Sequence, residues 1–71
     1  MNANEKLLYI AAVLEKRQQQ LKAGEVFGQM SQYRFCRSLE LIALAPPSLI
    51  KEARTALEND LGVPIPQEEL P

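Results

Sequence analysis

The 71-residue chain has no histidine, no tryptophan and one cysteine, Cys36. Each scarcity removes a class of function. Without histidine the commonest general base is missing, and the Cys36 thiol has no imidazole to activate it. A single cysteine permits no disulfide within the chain, and with no histidine beside it there is no ligand set for zinc. Glycine is also rare, at three residues, and none is arranged as a phosphate-binding loop. The carboxylates offer no acid–base pair: Glu58 and Asp60 point to different sides of a helix, and Glu68 and Glu69 fall among prolines. The expectation is a protein that is not an enzyme and uses no cofactor or metal.

Long apolar runs are missing too. The longest is LLYIAAVL, residues 7–14, far short of the roughly 20 residues a membrane span needs. Only Lys6 precedes it, EKR follows at once, and no small-residue cleavage site is present, so it reads as mature protein rather than as a signal peptide. The lone thiol suits a reducing compartment, and the cytoplasm is the expected location.

The residues that are present are helix formers. Asn2 with Glu5 three positions on is a loose capping box, and no proline or glycine interrupts the chain from there to Ala23. Gly24 is a suitable stop, because glycine takes the left-handed backbone at a helix end without steric cost. In the next segment Phe35, Leu39 and Ile42 follow helical spacing, with Cys36 and Ala43 beside them. Cys36 is therefore expected to be a small buried hydrophobe rather than a reactive thiol. Pro46 and Pro47 end that helix, since a residue before proline is driven from helical angles, and proline then suits the first turn of the next, with Ser48 as a candidate cap. The third helix places Leu49, Ile50, Ala53, Ala56, Leu57 and Leu61 on one side and stops at Gly62.

The predicted fold is all-α. An antiparallel helical hairpin is followed by a third helix after a Pro-Pro corner, giving a small three-helix bundle. The helices are expected at about 4–23, 29–45 and 47–61 within a single domain, 1–62, and residues 63–71 form a proline-rich acidic tail. Reflecting the hairpin about residue 26 sets Ile10 opposite Ile42, Leu14 opposite Ser38 and Leu7 opposite Ala45. Two apolar blocks then lie side by side, and both are apolar almost all the way round, which implies burial on several sides. A chain this short is marginal alone, so a homodimer is expected, with Leu7, Ile10, Ala11 and Leu14 in the interface.

The loop end of the hairpin differs. Val26, Phe27, Met30 and Tyr33 face only Leu21, inside a basic collar of Lys16, Arg17, Lys22, Arg34 and Arg37. Residues 16–37 carry those five cations against Glu25 alone, a net of +4, whereas residues 52–71 carry five acids against Arg54, a net of −4. Aromatic residues, methionine and arginine are what protein-binding surfaces are enriched in. These nine residues are the expected contact with a larger protein partner, for an adaptor, chaperone or inhibitor. The alternative is a small nucleic-acid-associated regulator using the basic patch. It lacks a motif: ARTALENDLGVP resembles the first half of a helix-turn-helix, but the recognition helix is replaced by VPIPQEELP.

Overall fold

The computed structural model describes residues 1–66 and contains three α-helices and no strand among them. Helix α1 spans Ala3–Lys22, α2 spans Gln29–Leu44 and α3 spans Ile50–Leu61. The boundaries follow local chemistry. Asn2 caps α1, its side-chain oxygen accepting the Glu5 N–H at 2.8 Å; the Glu5 carboxylate does not complete the reciprocal half of the box. At the other end Gly24 adopts φ +89°, and the Gly24 and Glu25 N–H groups reach back to the carbonyls of Leu21 and Gln20. That pair of bonds is a Schellman closure, and it turns the chain sharply.

The Pro-Pro corner differs in one detail from the expectation. Pro46 is extended and Pro47–Leu49 form a single 3₁₀ turn, closed by the Leu49 N–H on the Pro46 carbonyl at 2.9 Å. Ser48 caps nothing: α3 begins with no side-chain cap. Pro47 already fixes the first-turn backbone angle, so a cap is dispensable there.

Tyr9, Val13, Phe35, Ile42, Leu57, Leu61 and Ile65 form one core, with Ile10, Leu39 and Ala53 packed against it. Each such side chain contributes on the order of 2 kcal/mol by leaving water. Ile65 belongs to this core, so the folded unit extends past the expected boundary at Gly62; its N–H donates to Glu58 Oε1 at 2.8 Å and draws the chain back over α3. Val63, in contrast, stays 37% exposed. The remainder of the expected tail, 67–71, lies outside the described residues.

The hairpin is antiparallel with a register within a residue of the reflection about residue 26, but Leu7 and Leu14, expected opposite Ala45 and Ser38, are exposed. Lys6 lies opposite Ala45, and Arg17 lies over Phe35. The closest helix pair, however, is α2 with α3 rather than α1 with α2. Ala53 and Ser38 are small and allow α2 and α3 to approach. The inner face of α1 carries long side chains instead, Lys6, Tyr9, Arg17 and Gln20, and these hold it further out.

Those long side chains make α1 a splint for its neighbours. The last carbonyls of a helix have no partner within it. At the end of α2 two prolines follow, so Lys6 supplies the donors, its Nζ bonding the carbonyls of Ala45 at 2.7 Å and Ala43 at 3.4 Å. At the end of α3 Arg17 Nη2 donates to the Asp60 carbonyl at 3.0 Å and Gln20 Nε2 to the Leu61 carbonyl at 2.8 Å. Both cations sit at the negative end of a helix dipole, where positive charge is stabilising.

Candidate protein-interaction surface

The surface is built by what the core leaves outside. The buried face of α2 is Phe35, Ser38 and Ile42. Ser38 is held inside because its hydroxyl donates to Asp60 Oδ2 at 2.6 Å, which anchors α2 to α3. This choice sets the rotation of the helix. It turns Cys36 outward: the thiol is exposed, not part of the core as its neighbours suggested. Two residues along an α-helix are about 200° apart, so a buried Ser38 and a buried Cys36 exclude each other.

At the loop end, Val26 is 93%, Met30 69% and Tyr33 64% exposed, and Lys22, Arg34 and Arg37 are exposed around them. Lys16 is half-buried. Arg37 pairs with Glu40 at 2.8 Å on the surface, one turn along α2. Phe27 is half-buried and stands apart from this group, because the Arg17 guanidinium lies 3.6 Å from its ring centre and 4.2 Å from that of Phe35.

Arg17 is thereby removed from the expected basic collar. Only 3% of it is exposed. The guanidinium is sandwiched between two aromatic faces, where the ring quadrupoles attract it, and it is spent on the end of α3. Its Nε and Nη1, like Oε1 of Gln20, are buried without a partner. Burial pulls the Arg17 pKa down from its usual value, opposed by the negative charges of Glu25 and Asp60. With Arg17 inside and Arg37 paired to Glu40, the patch offers fewer cations to phosphates than its sequence suggested.

On α1 the four expected interface residues separate. Leu7, Ala11 and Leu14 are exposed, while Ile10 is half-buried against the core. Leu21 extends the exposed set: Leu7, Leu14 and Leu21 recur every seven residues and are each half to two-thirds exposed. Helical periodicity puts them on one stripe beside the buried line of Tyr9, Val13, Arg17 and Gln20.

A third feature was not anticipated. Near the proline corner α2 and α3 border an open groove of ≈ 390 Å³, lined by the apolar Leu41, Leu44, Ala45, Pro46, Leu49, Ala53 and Ala56 together with the acidic Glu52. Its signal in the sequence is the surplus of apolar residues at 41, 44 and 49 beyond what one helix face can bury.

A half-buried polar cluster lies on the other side of α3. The Tyr9 hydroxyl donates to Glu58 Oε2 at 2.7 Å, Arg54 Nε approaches the same oxygen at 3.4 Å, and the Arg54 guanidinium lies 4.7 Å from the centre of the Tyr9 ring. Burial, then the hydrogen bond to Glu58 and its negative charge, push the Tyr9 pKa well above the ordinary tyrosine value, with Arg54 opposing. Both Glu58 carboxylate oxygens are engaged, Oε2 by Tyr9 and Arg54 and Oε1 by the Ile65 N–H, so the cluster ties α1, α3 and Ile65 together. Among the described residues no group of histidine, cysteine or acidic side chains is placed to hold a metal, and no helix is long and apolar enough to cross a membrane.

No protein-family model matches the chain, and neither a curated protein nor a solved structure matches it.

Proposed function

We propose that this chain is a non-enzymatic protein-interaction domain that acts on a larger protein partner, as an adaptor, chaperone or inhibitor, and that it works as a homodimer in the cytoplasm. The observation that carries the reading is the loop-end cluster: Val26, Met30 and Tyr33 stand in water beside Lys22, Arg34 and Arg37. Aromatic and methionine side chains this exposed add little to the core, and with Arg34 and Arg37 along the same helix they match the composition of binding hot spots. The dimer reading rests on the Leu7, Leu14 and Leu21 stripe, whose seven-residue spacing is that of a helix–helix seam. Ala11 lies between the first two leucines and lets a second helix come close.

Affinity capture from the native host tests it, with wild-type bait compared against Met30→Asp and Tyr33→Asp baits. The proposal expects proteins retained by the wild type and lost from both variants, with retention persisting as salt rises. Retention that collapses steeply with salt and with nuclease treatment would instead support phosphate binding by the basic residues. Identical profiles for all three baits would remove the loop end from the function.

A further inference from the structure

We infer that the segment after Gly62, residues 63–66, is a strap that opens as a unit of its own while the three helices stay folded, and that Glu58 is its latch. This goes beyond the interaction-domain reading and does not depend on the loop-end surface.

The sequence of the strap, Val63-Pro64-Ile65-Pro66, limits how it can be held. Two of its four residues are prolines and have no N–H to donate. Among the described residues, only the Ile65 N–H of the strap is bonded, to Glu58 Oε1 at 2.8 Å, and no backbone–backbone hydrogen bond reaches it. Val63 and Pro64 are exposed and Pro66 is half-buried, so Ile65 is the strap's one buried side chain. The attachment is thus one apolar anchor and one hydrogen bond. A turn of α1 or α3 cannot leave on such terms, because its residues share a continuous ladder of backbone bonds with the turns beside them.

The same prolines make the strap stiff. Val63 and Ile65 each precede a proline and are driven from helical angles toward extended ones, while each proline fixes its own φ. Open or closed, the segment keeps much of its shape, so closing it costs little chain entropy. The freedom to swing lies at Gly62, which sits at φ +90° and has no side chain to restrict it.

The latch is held from its other side. Glu58 Oε2 accepts the Tyr9 hydroxyl at 2.7 Å, and Arg54 Nε lies 3.4 Å from the same oxygen. Those contacts keep the carboxylate in place whether or not Ile65 is bound to it. When the strap leaves, the Ile65 N–H and Glu58 Oε1 both pass to water, so opening strands no polar group inside. It uncovers the seat of Ile65 in the core. Access to that apolar seat, and to the carboxylate acceptor beside it, is conditional on release of the strap.

Native-state amide hydrogen exchange by NMR on the full chain, at several urea concentrations below the unfolding transition, tests this. After correction for intrinsic rates, the Ile65 amide is expected to exchange at least about tenfold faster than the slowest amides of α1 and α3. Urea should barely change its rate, because the opening exposes little surface. Glu58→Gln is expected to raise the Ile65 rate about tenfold, since a charged acceptor is replaced by a neutral one. Ile65→Asp is expected to release the strap and keep the helical circular dichroism and a cooperative melt. An Ile65 amide as protected as the helices, with their urea dependence, would overturn the inference, because the strap would then leave only when the whole domain unfolds. So would an Ile65 rate unmoved by Glu58→Gln, or an Ile65→Asp chain without helix.

Discussion

Replacing Arg17 discriminates sharply between a surface cation and an internal brace. The side chain is 3% exposed, stacks on Phe27 and Phe35, and holds the Asp60 carbonyl at 3.0 Å. Arg17→Ala removes a charge-assisted hydrogen bond of about 1.5–3 kcal/mol and a desolvated cation–π contact of up to about 2 kcal/mol, and it leaves a cavity between the rings. Against this, it relieves the burial of a charge whose Nε and Nη1 have no partner, which is worth about 1–3 kcal/mol. The balance is a loss of about 2 kcal/mol, or roughly 8–16 °C in Tm for a domain of this size. Arg17→Met keeps the apolar stem between the rings and discards both the charge and its unpartnered donors, so its cost is expected to stay below about 1 kcal/mol. Urea unfolding followed by far-UV circular dichroism, at one fixed protein concentration because a dimer would shift the midpoint, gives both numbers. If Arg17→Ala changes stability by no more than about 0.5 kcal/mol, as an ordinary surface substitution does, the residue is not the brace described and belongs back in the basic collar.

Leu14→Asp is expected to convert the dimer to a folded monomer in sedimentation equilibrium, since Leu14 is half-exposed on the α1 stripe; a wild type that is monomeric at high micromolar concentration contradicts the interface. The raised Tyr9 pKa means the folded state holds the phenolic proton more tightly than the unfolded state does, so its contribution is complete below the ordinary value of 10.0 and is lost as pH climbs above it. Stability should therefore fall on titration above pH 10 in the wild type, and Tyr9→Phe should flatten that part of the profile. Phe27→Ala is expected to destabilise by about 1–2 kcal/mol through the lost stack with Arg17, whereas Met30→Ala and Tyr33→Ala should leave the melting temperature almost unchanged. Replacing Pro46 and Pro47 with alanine should free the backbone angle at the corner and let α2 and α3 fuse, detected as a higher oligomer by light scattering; hydrogen exchange in the wild type should find α3 protected as strongly as α1.

The helices were legible because their ends are written in residues with few alternatives: Asn2 and Gly24 around α1, the two prolines between α2 and α3, and Gly62 after α3. The antiparallel hairpin was legible from the match of two apolar blocks, but not which of their residues are buried: Leu7, Leu14, Leu41 and Leu44 stand exposed. The interior was less so. Arg17 reads as a surface residue by type, yet Tyr9, Val13, Arg17 and Gln20 follow helical spacing, and only that spacing marks Arg17 as facing inward. Cys36 and Ser38 compete for one position, and the winner is set by Asp60, twenty-two residues away, which local periodicity does not register. The loop-end cluster was legible as an excess of apolar residues over available partners. The groove by the prolines was hidden because Leu41, Leu44 and Leu49 all looked like ordinary core.

Hydroxyl-radical footprinting of the isotopically labelled protein, in buffer and in extract of its native host, tests the interaction surface most directly. The chain carries its own control, since Tyr33 is 64% exposed and Tyr9 is wholly buried. Met30 and Tyr33 should label strongly in buffer and be protected in extract, with Tyr9 unlabelled in both. Equal labelling of Met30 and Tyr33 in buffer and extract would contradict a partner bound at this surface.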